Sequence, residues 1–592
     1  MKMESTQMIH RAMKTLGLLT LLAVSGLMLW SCEKNNELKP APVLMLSAPS
    51  AINAAGAEVS TTLSITAPEG IKSLNVLKNG VPEPSVSFQG ETSLEYEYFY
   101  TVENLPTGTQ VNFSFTAIDI ENRPSEVQLF SVTVAAKSIV EVQEGEITGT
   151  ETWTANNIYR LNGFVRVAEG SKLIIEPGTL IIGDRQSKGT LIVQMGGQIF
   201  AEGTAEQPII MTSENAPGFR EPGDWGGLVI CGRAPNNITA STGQPVELEG
   251  GYGGFHGGNL PNDNSGVIRY VRIEYAGIPI NPNEEVNSLT LGSVGSATTI
   301  EYVMASYGLD DAFEWFGGTV NAKYLVANRN LDDDFDVDLG FSGKVQFAVS
   351  VRGAALADQS GSNGFEVDNN GSGSAAEPFS SGVFANVSLI GPKKDRERAI
   401  SLQFQHAAQL RRNSRISMYN SYMTGYPNGL YIDDDKAGSG QAALDGHLQI
   451  RNVYLAGVNH WGGNGYGSEG TVFEGAPSNG AQHPNNPRGM ALKSHANFPG
   501  GHDAYVTWFN TEAFNNHQLS KWEDLGLQGS AFEIGAPVFT LSGNSPLLNG
   551  ARWTNTPKAD DFFQKVDFIG AFGNTDWTEG WGEWNCHLVA YF

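Results

Sequence analysis

Cysteine is almost absent. The 592 residues hold three, at Cys32, Cys231 and Cys586. No Cys-x-x-Cys pair and no Cys/His cluster occurs, so nothing supports a zinc site. Cys231 and Cys586 lie far apart, and two buried, unpaired thiols are expected there. A bridge between them stays open in an oxidising compartment. Positive charge is also scarce: 37 Lys and Arg face 63 Asp and Glu, a formal net charge of −26. That balance opposes nucleic-acid binding, which needs basic stripes, and suits an outer surface or cation binding. The ten histidines are scattered, with no ligand pair at useful spacing. No nucleophile elbow, metalloprotease His motif or Walker loop is found.

Glycine, by contrast, is abundant. Seventy glycines with only 17% charged residues point to tight turns and short strands rather than long helices. The length implies two or more domains.

The N-terminus reads as a targeting segment. "MKTLGLLTLLAVSGLMLWSC" runs from Met13 to Cys32: a lysine, an apolar stretch, then Leu29-Trp30-Ser31-Cys32. This resembles a bacterial lipoprotein signal, which implies residues 1–32 as signal peptide and acylation of Cys32, palmitate included. Met13 is a second candidate start. The alternative is an uncleaved anchor, but the apolar run is short for a spanning helix. Residues 33–41, "EKNNELKPA", form a polar tether. Acid just after the cysteine resembles the surface-export signal of Bacteroidota lipoproteins, which implies an outer-membrane protein facing the exterior.

Residues 42–137 read as a β-domain. "VSTTLSIT", "LEYEYFYTV" and "QVNFSFTAID" alternate in polarity between Pro and Gly punctuation. About seven such strands in about 100 residues fit an immunoglobulin-like sandwich. "LPTGTQVNFSFTAID" resembles the later strands of fibronectin-type modules, which implies a spacer.

From residue 138 repeats take over. "IRYVRIEYAG", "IEYVMASYG", "AKYLVANRN", "VQFAVSVRG", "FANVSLIG", "ISMYNSYMTG" and "IRNVYLAG" are short strands closing on Gly or Asn. A second unit follows several of them. Its copies are Leu309-Asp310-Asp311-Ala312-Phe313-Glu314-Trp315-Phe316, Leu331-Asp332-Asp333-Asp334-Phe335-Asp336-Val337-Asp338, Asn363 to Asp368 and Asn428 to Asp433. Phe313 to Phe335 is 22 residues and Phe335 to Phe365 is 30. Strand-only repeats at such spacing predict a parallel β-helix over 138–592, about a dozen coils in a rod about 60 Å long, with an aromatic C-terminal cap. The fold class is therefore all-β: an Ig-like β-sandwich, then a parallel β-helix solenoid.

"L-x-I-x-P-G-T-x-I", "GTAEQPI" and "GDWGGLVI" resemble the opening coils of right-handed β-helices of the pectate-lyase-like superfold, which implies a right-handed parallel β-helix solenoid. With "NDNSGVIRYVRIEYAG", "DDAFEWFGGTVNAKYLVA", "DDDFDVDLGFSGKVQF" and "VDFIGAFGNTDWTEGW", residues 145–592 resemble a family of Bacteroidota surface lipoproteins and secreted proteins. That family has no firmly assigned reaction, so the resemblance implies fold and address and transfers no catalytic residue.

The aspartates follow from the register. On a strand, alternate residues face opposite sides. With Phe313, Phe335, Val337, Phe365 and Val367 inside, Glu314, Asp336, Asp338, Glu366 and Asp368 face out, and a coil around 399–406 turns Ile400, Leu402 and Phe404 inward. Glu314, Asp336 and Glu366 then stack about 4.8 Å apart, where bare carboxylates repel by about 1 kcal/mol in water and a few times more under cover. Covered carboxylates need protons or a cation. The candidate Ca²⁺ ligands are Asp332, Asp334, Asp336, Asp338, Glu314, Glu366 and Asp368. An EF-hand is rejected: counting from Asp334, Leu339 stands where that loop needs glycine, and Val345 where it needs glutamate. The bland reading is a solvated acidic face. A third reading is a catalytic carboxylate pair.

Basic residues lie near this wall: Arg329, Arg352, "PKKDRERAI" and "QLRRN". They fit an anionic-sugar cleft or ordinary salt-bridged turns. Trp461 and Tyr466, among glycines, are candidate platforms for sugar rings. The expected function is non-catalytic binding of an extracellular glycan or protein at the cell surface, by a protein held to the outer membrane through its lipid. Alternatives are a polysaccharide lyase or glycoside hydrolase, and an accessory subunit of an outer-membrane transporter.

Overall fold

The computed structural model describes residues 40–282, 284–395, 398–401, 403–436, 438–458 and 491–592. The chain divides into two compact units. The smaller takes the described part of Met1–Ser47 with Thr62–Glu97 and Ser114–Gln128; the larger takes Ala48–Thr61, Tyr98–Phe113 and Leu129–Phe592. In the smaller unit Val43–Leu46 runs antiparallel to residues 63–66. Ile71–Lys78 pairs antiparallel with Val81–Pro82 and Val86–Ser87. Alternation along these strands buries Leu63, Ile65, Leu74 and Val76.

The larger unit contains a parallel β-helix. Between residues 299 and 494 the chain passes from strand to strand of two long sheets in turn. One sheet has eleven strands, from Gly145–Ile147 to Leu492–Ser494, each parallel to the next. The other has fifteen and includes Thr299–Ser306, Asn321–Asn328, Lys344–Val351 and Val383–Ile390.

The interior register follows the pattern of alternation. Phe313, Phe335 and Phe365 are fully buried and stacked, with ring centroids 5.8 and 5.0 Å apart. Trp315, Val337 and Val367 form the next inward row. One coil departs from expectation. The strand after Phe365–Val367 is His406–Arg411, not 399–406, and it turns Ala408 and Leu410 inward. The small Ala407 and Ala408 leave room where Phe365 already meets Phe384 edge-on at 5.0 Å. Phe404 is buried but makes only an isolated bridge to Ser362, and Ile400 is half-buried; Leu402 lies outside the described residues.

The fifteen-stranded sheet carries a second regularity. Tyr270, Tyr302, Tyr324, Phe347, Asn386, Asn420 and Asn452 all have φ between 48 and 62°, one per coil. A left-handed residue costs roughly 1–2 kcal/mol, and stacking offsets it. Tyr270, Tyr302, Tyr324 and Phe347 stack at 4.4, 4.3 and 5.0 Å. Further along, Asn452 Nδ2 donates to Asn420 Oδ1 at 2.6 Å. Asparagine tolerates this region without strain.

The C-terminal segment takes a different place from the one expected. Residues 576–592 run back along earlier coils. Trp577 and Trp581 meet Tyr302 edge-on, and Tyr591 donates to Glu274 at 2.7 Å. The last coils are instead closed by the helix Gly501–Phe509. Its Tyr505, Trp508 and Phe509 join the main core with Ile450 and Leu492. A short amphipathic helix can present three large apolar groups to an open coil end; the aromatic tail has its own apolar strip to cover. Cys231 and Cys586 are buried free thiols. Among the described residues no helix is long and apolar enough to cross a membrane.

Candidate metal centre

The outer face of the eleven-stranded sheet builds the site. Register places Thr290, Glu314, Asp336 and Glu366 directly above one another on successive coils. The turn before each strand adds a second column. Asp311 Oδ1 accepts the backbone N–H of Asp333 at 2.8 Å, and Asp333 accepts that of Asn363. Asn363 Oδ1 accepts that of His406 at 3.1 Å. Each side chain thus ties down the next turn.

Loops roof these columns. Glu249 comes from the long insertion after Gly227–Cys231, Glu285 from the loop after Gly266–Glu274, and Asp358, Gln359 and Ser360 from the loop after Lys344–Val351. Together they enclose a cavity of about 910 Å³. Ten carboxylates line it: Glu249, Glu285, Asp310, Asp311, Glu314, Asp332, Asp333, Asp336, Asp358 and Glu366. Among the described lining residues Arg411 is the one cation. It pairs with Glu366, and its Nε lies 2.9 Å from Asp368.

Burial, and then neighbouring negative charge, hold Asp310, Asp311, Glu314 and Asp336 well above the usual carboxylate range. Asp332 is raised likewise. Asp333 and Glu249 are each pushed up to about 7, again mainly by burial. A fully ionised cavity therefore needs compensating charge. Three sets of carboxylates could hold a metal: Asp310, Asp311 and Asp332; Asp311, Glu314 and Asp336; and Asp333, Asp336 and Glu366. Within each set the ligand atoms lie no more than 4.8 Å apart. Two oxygens on opposite sides of a Ca²⁺ ion, each at about 2.4 Å, are separated by about that distance. Asp332 Oδ1 is buried with no hydrogen-bond donor, as a ligand atom would be.

The structure brings Asp332, Glu314, Asp336 and Glu366 together. Asp338 and Asp368 lie one row along the same face, outside the cavity lining. Asp338 accepts the Leu339 N–H at 2.6 Å, and Asp368 is held by Arg411 and Arg412. Their carboxyls are raised by burial to about 6 and about 8. Asp334 turns the other way. It is fully buried and accepts from Arg352 at 2.9 Å, from Tyr426 at 3.0 Å and from Ser350. Arg352 also donates to the Leu331 carbonyl at 3.0 Å, and Arg329 donates to the Glu533 carbonyl at 2.8 Å. Both arginines are buried and serve the fold, not the cavity. Trp461, Tyr466 and Cys32 lie outside the described residues. Sequence reasoning missed Asp310 and Asp311 as lining groups, although the Leu-Asp-Asp repeat carried the signal; Asp333 belongs to the turn Asp332 to Asp334, from which further oxygens are expected. Glu249, Glu285 and Asp358 had none, because loop insertions break the repeat.

A family model described as a pectate-lyase like beta helix domain matches residues 145–480. Among solved structures, the fibronectin(III)-like modules of Clostridium thermocellum CbhA are similar at 17% identity, over 16% of this chain and 97% of that one, with a TM-score of 0.13. Pectate lyase Pel3 from Pectobacterium carotovorum is similar at 10% identity, over 56% of this chain and 90% of that one, with a TM-score of 0.10. Pectate lyase PelI from Erwinia chrysanthemi, in complex with tetragalacturonic acid, is similar at 9% identity, over 76% and 100%, with a TM-score of 0.11. At such scores no site is transferred from them. No curated protein matches the chain.

Proposed function

The chain belongs to the pectate-lyase-like β-helix family, and from that premise we propose that it binds an extracellular glycan without cleaving it, using Ca²⁺ held on the acidic wall. The family supports a carbohydrate-related role. The observation that carries the rest is the trio of carboxylate sets, each within the span of one cation. Ten carboxylates would repel an acidic sugar; bound cations reverse the local sign and leave coordination positions for sugar oxygens. The ligand class this favours is an anionic or polyhydroxylated glycan.

We place the protein at the outer membrane, anchored through Cys32 and facing outwards, with residues 42–137 as an immunoglobulin-like spacer of the Bacteroidota lipoprotein kind. Replacing Cys32 with Ala then moves the protein from the membrane to the soluble fraction. Docking on an outer-membrane transporter is compatible with that address and predicts co-purification with a membrane protein.

Two measurements test the binding reading. Calorimetric titration of the EDTA-stripped chain with Ca²⁺ and with Mg²⁺ is expected to show saturable binding that favours Ca²⁺. A glycan array read with Ca²⁺ and with EDTA, scored for retention and for cleavage, is expected to show Ca²⁺-dependent retention of intact glycans. Absence of saturable Ca²⁺ binding ends the reading. One arrangement favours the second reading, cleavage by a lyase or hydrolase: Asp333 and Glu249 both line the cavity, and burial raises their carboxyls to about 7, the range a general acid needs. Cleaved glycans on the array would establish it.

A further inference from the structure

Among the described residues a second concave site has the opposite sign. Glu377, Pro378, Phe379, Ser381, Arg415, His447 and Lys558 line a second cavity of about 300 Å³, sharing no residue with the acidic one. Arg415 sets it apart. Every other arginine among the described residues donates a side-chain hydrogen bond to a carboxylate, a carbonyl or an amide oxygen; the Arg415 guanidinium has no hydrogen-bond or ion-pair partner among them, although carboxylates outnumber cations on this chain. Its Nε–H is buried without an acceptor. Its Cζ lies 3.3 Å from the centroid of the Phe379 ring, so one face of the guanidinium is covered by an aromatic plane.

Lys558 stands beside it. The ammonium donates to the His447 carbonyl at 2.7 Å and contacts the Arg415 carbonyl at 3.4 Å. An ammonium has three donors, so one remains for the cavity. The Ser381 hydroxyl and the His447 ring also face no hydrogen-bond partner among the described residues. Among the described lining residues the one acid is Glu377, which is exposed. Two cations held side by side without a bridging carboxylate are costly unless an anion joins them.

We propose that this cavity is an oxyanion site, built for a sulfate or phosphate group, either free or carried as an ester on a sugar. Guanidinium, ammonium and hydroxyl donors converging on 300 Å³ match an anion with oxygens in several directions. The proposal is independent of cation binding on the acidic wall.

Lys558 supplies a further readout. Burial, with Arg415 beside it, lowers its ammonium to about 8. The groups around the pair are Arg415, His447, Glu377 and, near Arg415, Asp445. A bound anion favours the protonated amine. Affinity is therefore expected to hold below pH 8 and to fall as pH rises through that value, with proton uptake on binding.

The test is calorimetric titration of the full chain with sodium sulfate and sodium phosphate at constant ionic strength, chloride serving as control. A sulfated oligosaccharide forms a further arm. Saturable sulfate binding is expected, weakened about tenfold or more in Arg415→Gln and in Lys558→Gln, and partly kept in Arg415→Lys. Thermal melts of each variant establish that it is folded. Tighter binding of the sulfated oligosaccharide than of sulfate assigns the site to a sugar ester; equal or weaker binding assigns it to the free anion. The Asp336→Asn variant is expected to bind sulfate as the parent chain does, which separates this site from the acidic wall. No saturable binding of sulfate or phosphate, or unchanged affinity in folded Arg415→Gln, overturns the proposal.

Discussion

Replacing Asp336 with Asn should make the metal-free protein more stable and the calcium-loaded protein less so. Asp336 sits between Glu314 and Glu366 in the stacked column and belongs to two of the three carboxylate sets. Two unit charges about 4.8 Å apart repel by about 1 kcal/mol in water and by roughly 3 kcal/mol at an effective dielectric of 20. Asparagine removes that repulsion toward each ionised neighbour while keeping the shape. The pH sets when it matters. These carboxyls titrate above their unfolded values, so the native state holds more protons than the unfolded chain. The resulting penalty is absent below about pH 4, grows as pH rises, and is fully present above the folded values, about 7 for Asp333. The assay is urea unfolding in EDTA at pH 5 and pH 8, repeated with Ca²⁺. In EDTA at pH 8 the variant should be more stable by on the order of 1–3 kcal/mol, and the gap should narrow at pH 5. Calcium at a hundred times its dissociation constant adds about 2.7 kcal/mol to the parent chain, and the variant should gain clearly less. A variant less stable in EDTA at pH 8, or one that keeps the full calcium increment, would refute the reasoning.

Replacing Arg411 with Gln removes the cation facing Glu366 and Asp368; calorimetry should find tighter Ca²⁺ binding, and melts in EDTA at pH 8 a lower midpoint. Replacing Asp334 with Ala strands the buried Arg352, which should cost about 3–5 kcal/mol in urea unfolding while leaving the calcium increment intact. Burial pushes the Cys231 thiol up to about 12 and raises that of Cys586 too. An aromatic disulfide reagent at pH 8 should therefore reach neither until denaturant is added.

What could be read from the chain alone was whatever repeats. Phe313, Phe335 and Phe365 alternate with acids and recur at coil spacing, and this put both the buried stack and the carboxylate column within reach. The same rule failed at Asp334. It sits two residues before Asp336 and should face the same way, but the extended strand begins only at Phe335. The bend before it swings Asp334 inward to Arg352. Alternation holds inside a strand and lapses in the turn that feeds it. The coil after Phe365 was misplaced for a related reason: "AISLQFQH" alternates well, but the strand in register carries Ala408 and Leu410, whose small neighbours suit the phenyl rings already packed there. Glu249, Glu285 and Asp358 arrive on insertions of no fixed length, and no periodicity announces them.

The two sheets meet one constraint in different ways. A parallel β-helix stacks each residue on its counterpart from the next coil, so every position must be compatible with a copy of itself about 4.8 Å away. On the fifteen-stranded sheet the row of left-handed residues satisfies this internally. Tyr270, Tyr302, Tyr324 and Phe347 attract one another as rings, and Asn420 and Asn452 as an amide pair. Glu314, Asp336 and Glu366 cannot, because like charges gain nothing from stacking. Their repulsion can be relieved only by a proton or a cation, neither of which the stack itself supplies. A coil spacing close to twice a Ca²⁺–oxygen bond makes the cation geometrically available at each step of the column. The acidic wall is therefore the part of this fold whose stability depends on what surrounds it, and there a change of medium should be felt first.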